Sequence, residues 1–157
     1  MIVSAHQPHY FPCIGYFNKI YLSDTFMLMN NMIYTSKGYI SRNRILTNKG
    51  WRYLIVPVVK PNGYKSRINE LLIENKCQTN WKLKHLRTIK YNYQKGKGFL
   101  SFYPIIEEEL NKNHTSFIEL QISVIKRIFK YLNIETKIIL TSDKNTEGKK
   151  EIFGLKK

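Results

Sequence analysis

Two prolines constrain the N-terminus more than any other feature. Pro8 and Pro12 stand between a short apolar run, Ile2-Val3-Ser4-Ala5, and a stretch where Ile14, Phe17, Ile20 and Tyr21 recur at spacings of three and four. Proline has no backbone N–H and pushes its predecessor to extended geometry, so the residues between these runs cannot join a helix or a central strand. The β-branched run predicts a buried strand, and the later spacing predicts a short helix with those four residues on its inner face. Ser23-Asp24 ends that helix, and Phe26 to Met29 reads as a second strand. Strand, helix and strand in about thirty residues form a βαβ unit, for which a right-handed parallel crossover is the default.

The pattern then changes. Ile40 to Leu46 and Trp51 to Val59 are strand-like, and Thr47-Asn48-Lys49-Gly50 between them suits a hairpin turn. Pro57 marks an edge or the end of pairing, and Ile68 to Ile73 reads as a further strand. The second half is helical. Asn80 is placed to cap a helix running to about Tyr93 with Leu83, Leu86, Ile89 and Tyr93 inward. Pro104 suits a first helical turn, which would put Glu107, Glu108 and Glu109 near a positive helix end. Ser116 and Glu119 have capping-box spacing ahead of Phe117, Leu120, Val124, Ile128 and Tyr131. Ile134 to Leu140 returns to strand, and Thr141 to Lys157 is polar and lysine-rich. The expected fold is therefore α/β or mixed α+β, one domain over 1–157, with an N-terminal βαβ unit, a hairpin-containing insertion and a helical second half.

A chain of 157 residues is large enough to bury about two thirds of its unfolded surface. No apolar run approaches the roughly 20 residues that span a bilayer, and His6 and Gln7 interrupt the first run before it can serve as a signal peptide. A cytoplasmic protein is expected. Cys13 and Cys77 are the only cysteines; with four scattered histidines they give no metal-ligand spacing and no disulfide framework. No cofactor is specified. The formal charge of +15 has two readings: an anionic partner such as nucleic acid, or the Lys-, Asn-, Ile- and Tyr-rich composition that AT-rich codons favour.

The loop after the first strand concentrates the candidate chemistry. His6, Gln7, His9 and Tyr10 leave the C-terminal end of a strand, where open α/β sheets place their ligands. A histidine there can act as acid or base near neutral pH, and His6 lies nearest the strand end. The plain alternative is one histidine bonding the loop and the other solvated. Lys19 on the following helix can reach back to a phosphate or carboxylate, or simply face solvent. In Arg42-Asn43-Arg44, period two puts both guanidiniums on one face, suited to an anionic ligand or to a solvated edge. Basic and aromatic residues also alternate from Trp81 to Tyr93, as in nucleic-acid binders or in an ordinary amphipathic helix.

His6-Gln7-Pro8-His9-Tyr10-Phe11-Pro12-Cys13-Ile14-Gly15-Tyr16-Phe17-Asn18-Lys19-Ile20 resembles the opening motif of the WbqC-like family. The resemblance continues through Asp24-Thr25-Phe26, Arg42-Asn43-Arg44-Ile45, Trp51 to Val58, Ile68-Asn69-Glu70 and Trp81 to Tyr93, and thus over almost the whole chain. It implies a bacterial cytoplasmic protein of surface-polysaccharide (O-antigen type) or natural-product biosynthesis. A transferase is expected, with glycyl or other amino-acyl transfer to a sugar as the proposed reaction. His6 would then be catalytic. Gln7, His9, Tyr10, Tyr16, Lys19, Arg42, Asn43 and Arg44 would bind an anionic substrate, a phosphorylated sugar or an activated amino acid. Nucleic acid is the less favoured partner. The chain departs from the family pattern at Cys13, where Trp is usual, and at Asn30-Asn31-Met32-Ile33-Tyr34, where Asp-Asp-Val-Gln-Phe is usual. The family also continues beyond this C-terminus, so the C-terminal part of the domain is expected to be missing.

Overall fold

The computed structural model describes residues 1–76 and 80–142; Cys77 and the lysine-rich stretch from 143 onward lie outside them. In chain order the elements are β1 (Val3–His6), α1 (Ile14–Tyr21), β2 (Thr25–Leu28), β3 (Arg42–Thr47), β4 (Gly50–Ile55), β5 (Val58–Val59), β6 (Leu72–Ile73), α2 (Trp81–Tyr93), α3 (Phe99–Asn111), α4 (Phe117–Leu132) and β7 (Lys137–Leu140). The fold is mixed α/β, with N-terminal parallel strands and a helical second half.

Strands β1, β2 and β7 form a parallel sheet in that order. Val3 to His6 pair with Thr25 to Leu28, which pair in turn with Lys137 to Leu140. β2 is central, and Phe26, Met27 and Leu28 are buried. β1 pairs on one side only, so Ile2 and Val3 are exposed rather than buried as expected. α1 rests on the core through Tyr16, Phe17 and Ile20, whereas Ile14 is 84% exposed and Tyr21 67%. The inward stripe is thus rotated from the expected one, because Tyr16 turns its ring onto Phe26 at 5.4 Å between centroids.

The β3–β4 hairpin forms over the expected turn, closed by Thr47 Oγ1 donating to the Gly50 carbonyl at 2.7 Å. Gly50 has φ +93°, a left-handed geometry that costs a side chain strain. Pairing ends at Ile55, just before Pro57, and β5 pairs with β6 instead. The strand expected over Ile68 to Ile73 survives only as β6. Its first half curls into a 3-10 turn, because the Glu70 carboxylate accepts the Arg67 N–H at 2.8 Å.

In α2, the Asn80 side chain accepts the Leu83 N–H as the cap does. The buried stripe, however, is Trp81, His85 and Leu86, while Leu83 and Tyr93 are exposed. A histidine on the inner face is tolerable because it is hydrogen-bonded there. α3 begins at Phe99, five residues before Pro104, so the expected first-turn position is wrong. Pro104 and Leu100 both face solvent, where water can satisfy the Leu100 carbonyl left without its helical donor. The three glutamates consequently lie in the last turns. Glu109 is fully buried and receives Lys112 Nζ at 2.7 Å, His114 Nε2 at 2.9 Å and Arg127 Nε at 3.4 Å. Burial alone would raise its pKa, but hydrogen bonds from Lys112, Ser123 and His114 outweigh that and hold it below the usual range. α4 buries Phe117, Leu120, Val124 and Ile128 as the spacing predicts, whereas Tyr131 is exposed.

Because Phe26 fills the sheet centre and Ile14 faces water, Phe26→Ala should lower stability by about 3–5 kcal/mol. Ile14→Ala should stay within about 0.5 kcal/mol. Urea denaturation of the two variants checks the contrast.

Candidate functional site

The loop between β1 and α1 is held by its backbone. The Tyr10 N–H lies 3.1 Å from the carbonyls of both Tyr39 and Ile40, ahead of β3. Asn43 Nδ2 donates to the Phe11 carbonyl at 2.6 Å. Phe11 has φ +45°, a left-handed value that a non-glycine residue adopts only when its surroundings hold it there. The loop that carries His9 and follows His6 is therefore clamped onto the hairpin and the segment before it.

Its rings form a cluster. His6 meets His9 edge-on at 4.6 Å and Tyr16 at 5.1 Å, and His9 lies 5.4 Å from Tyr16 and 6.0 Å from Tyr39. His6 Nδ1 and the Tyr16 hydroxyl both donate to the Gln7 carbonyl, at 3.0 and 3.1 Å. A carbonyl can only accept, so the His6 ring carries a proton on Nδ1. Burial, with His6 beside it, lowers the His9 pKa to about 4. His9 is therefore neutral at physiological pH. Burial also raises Tyr16 above the ordinary phenol range, so it stays protonated.

Arg44 joins this cluster through Tyr39. Its Nη2 donates to the Tyr39 hydroxyl at 3.0 Å, and its guanidinium lies 5.9 Å from the centres of both the Tyr39 and Trp51 rings. Arg42 is on the same face, as period two predicts, but it is committed elsewhere. It donates to the carbonyls of Gly38 and Lys37 at 3.3 and 2.7 Å and stacks over Tyr53 at 4.5 Å. Lys19 donates to the Ala5 carbonyl at 2.8 Å, one residue before His6. Asn43 turns inward to hold Phe11. Gln7 takes part through its carbonyl.

Tyr10 corrects an expectation. It is fully buried, and its hydroxyl meets His85 Nδ1 at 3.0 Å. Burial raises its pKa well above the usual value, so it braces the loop from beneath and presents no group to a ligand. The five cations and histidines singled out in the sequence thus do not all meet: His6, His9 and Tyr16 touch one another and Tyr39 links His9 to Arg44, while Arg42 and Lys19 serve the backbone.

Tyr39, Trp51 and Tyr53 were not singled out from the sequence. The hairpin register pairs Arg44 with Tyr53 and Leu46 with Trp51, so counting across the Thr47–Gly50 turn would have put them beside the arginines. Asn30 and Asn31 follow β2 at the same end of the sheet as His6, whose carbonyl accepts the Met29 N–H at 2.9 Å. Asn30 Nδ2 donates to Ser142 Oγ at 2.8 Å while its Oδ1 accepts from Ser142 N at 3.0 Å and Thr141 Oγ1 at 3.1 Å. An amide can donate and accept at once, and an ionised carboxylate cannot. Among the described residues no group of three or more His, Cys, Asp or Glu could hold a metal ion, and no helix is long and apolar enough to cross a membrane.

The profile of the WbqC-like protein family matches residues 7–156. The chain belongs to that family. It is also 32% identical over 154 residues to a protein of Mycobacterium tuberculosis named "Uncharacterized protein Rv1507c", a match covering 95% of this chain and 64% of that relative. The chain thus spans less than two thirds of that relative's length. No solved structure matches it. Within this WbqC-like chain, the matched residues include His9, Tyr16 and Tyr39 of the ring cluster, and Arg44.

His9 and the buried His85 both have their pKa lowered to about 4, chiefly by burial. Between that value and the ordinary 6.5, the unfolded chain binds protons that the folded chain does not, so stability rises with pH across this window. It should be fully present above the upper value and decline as pH falls toward the lower. His85→Gln should flatten that decline, as read by denaturation at a series of pH values.

Proposed function

We propose that this chain binds a small anionic activated substrate across His6, His9, Tyr39 and Arg44 and acts on it as a transferase. The substrate class is a phosphorylated sugar or an activated amino acid. Glycyl or amino-acyl transfer to a sugar in surface-polysaccharide or natural-product biosynthesis is the reaction expected from the family resemblance. The observation that supports the reading is the His6 hydrogen bond to the Gln7 carbonyl, which holds the ring beside His9, while Tyr39 lies between His9 and Arg44. In this role His6 takes the proton from an attacking hydroxyl or amine. Neutral His9 donates or accepts a hydrogen bond without adding charge, and Arg44 binds the carboxylate or phosphate of the activated group.

A second reading rests on a separate observation. Arg42, Arg44, Trp51 and Tyr53 form a guanidinium and aromatic face on the outer side of the hairpin, with Trp51 65% exposed. Such a face can stack the bases of single-stranded nucleic acid while Arg44 meets a phosphate.

Calorimetry with nucleotide sugars and aminoacyl donors separates the readings. In the first, Arg44→Ala should weaken donor binding about ten- to a hundredfold, the worth of a charge-assisted hydrogen bond. His6→Ala should leave binding within about threefold, while abolishing turnover. Absence of binding by the folded chain would overturn it and leave an inactive family copy. In the second, a single-stranded oligonucleotide should bind with an affinity that falls steeply with salt, and Trp51→Ala should weaken it about tenfold.

A further inference from the structure

A chamber of about 410 Å³ lies under the inner side of the hairpin, within the size range of small-molecule sites, roughly 300–1,000 Å³. Phe11 from the loop, Ile45 and Leu54 from the hairpin, Ile89 from α2, and Phe102 and Ile106 from α3 supply its walls. Three tyrosines also line it, and each turns its hydroxyl to a protein partner. Tyr93 accepts the Leu46 N–H at 3.1 Å, Tyr103 donates to Glu107 at 3.1 Å, and Tyr131 meets Ser101 Oγ at 2.9 Å. The chamber therefore receives ring carbons rather than phenol groups, and water within it would find few partners. Lys97 is the one charged side chain among the lining residues, and it is exposed at the Gly96–Gly98 turn.

The chamber is distinct from the histidine site. Ile45 shares its face of β3 with Asn43, and Arg42 and Arg44 occupy the opposite face. Phe11 links the two, its strained backbone fixed by Asn43 so that its ring stays in the wall. An apolar pocket open to solvent on one side with a single cation among its lining residues, on a chain of net charge +15, complements a ligand with an apolar body and one negative group.

We propose that this chamber binds a small amphipathic monoanion, an alkyl chain seated among the apolar walls with its carboxylate beside Lys97. Calorimetry on the full chain with hexanoate, octanoate and decanoate tests this. Each two-carbon lengthening should tighten Kd by up to about tenfold until the chamber is full. The alkanol of equal length should bind about two- to fivefold more weakly, and Lys97→Ala should remove that difference. Ile89→Trp should abolish binding by filling the space. Amide spectra of the wild-type chain provide a second readout independent of that variant's folding: the Gly96 and Gly98 signals should move along one isotherm with octanoate. Absence of binding would overturn the proposal. So would binding that ignores chain length and disappears with salt, because that marks adsorption to the basic surface. Equal affinity for alkanol and alkanoate would overturn the role of Lys97.

Discussion

The anchoring of Tyr10 is the interaction on which the rest of the structure depends. Its N–H reaches the Tyr39 and Ile40 carbonyls, its ring is wholly buried, and its hydroxyl meets His85 on α2. The Ile40 carbonyl also accepts Gln121 Nε2 from α4 at 2.6 Å. One residue thus ties the loop after β1 to the hairpin and to the helical half, all through buried polar groups whose loss would leave partners unsatisfied. The His85 ring is held neutral by burial, with Lys84 nearby disfavouring its charge and the Ile55 backbone as a further partner, so this junction is uncharged at neutral pH.

That anchoring explains why a loop with two prolines can present side chains accurately. Its neighbours hold their positions through backbone bonds, so the side chains above it are fixed in place. His6 has its tautomer set by Gln7, and Tyr16 is set by the same carbonyl. Charge is distributed with equal economy: Arg44 stays on the open face, while Arg42 and Lys19 serve backbone carbonyls. Among the described residues the sheet order β1-β2-β7 has no reversal of the kind that opens a crevice in doubly wound sheets. The hairpin supplies the second wall instead.

Much of this was legible in the chain. The strand–helix–strand opening, the turn at Thr47–Gly50, the Asn80 and Ser116 caps and the return to strand at β7 all follow from local signals, because each depends on neighbours a few residues away. Burial of particular side chains was less legible. Ile14, Tyr21 and Leu83 satisfy helical spacing yet face water, since the stripe that packs is chosen by partners distant in sequence. Pro104 misplaced the start of α3, because proline tolerates a solvent-facing position inside a helix as well as a first turn. Tyr10 looked like a ligand-binding phenol because its partner, His85, lies seventy-five residues away. The arginines' pairing with Trp51 and Tyr53 was encoded in the hairpin register, whereas the diversion of Arg42 to Lys37 and Gly38 depended on how the chain turns before β3.

The central claim is that the loop and the hairpin form one anion site on a shared surface. Nitrogen-15 spectra of the histidine and arginine side chains during a pyrophosphate titration test it most directly. A single site predicts that His6, His9 and the Arg44 guanidinium shift together along one binding isotherm, with Arg42 almost still and His6 protonated at Nδ1 before ligand is added. Separate isotherms for the histidines and Arg44, or shifts confined to scattered lysines, would contradict it.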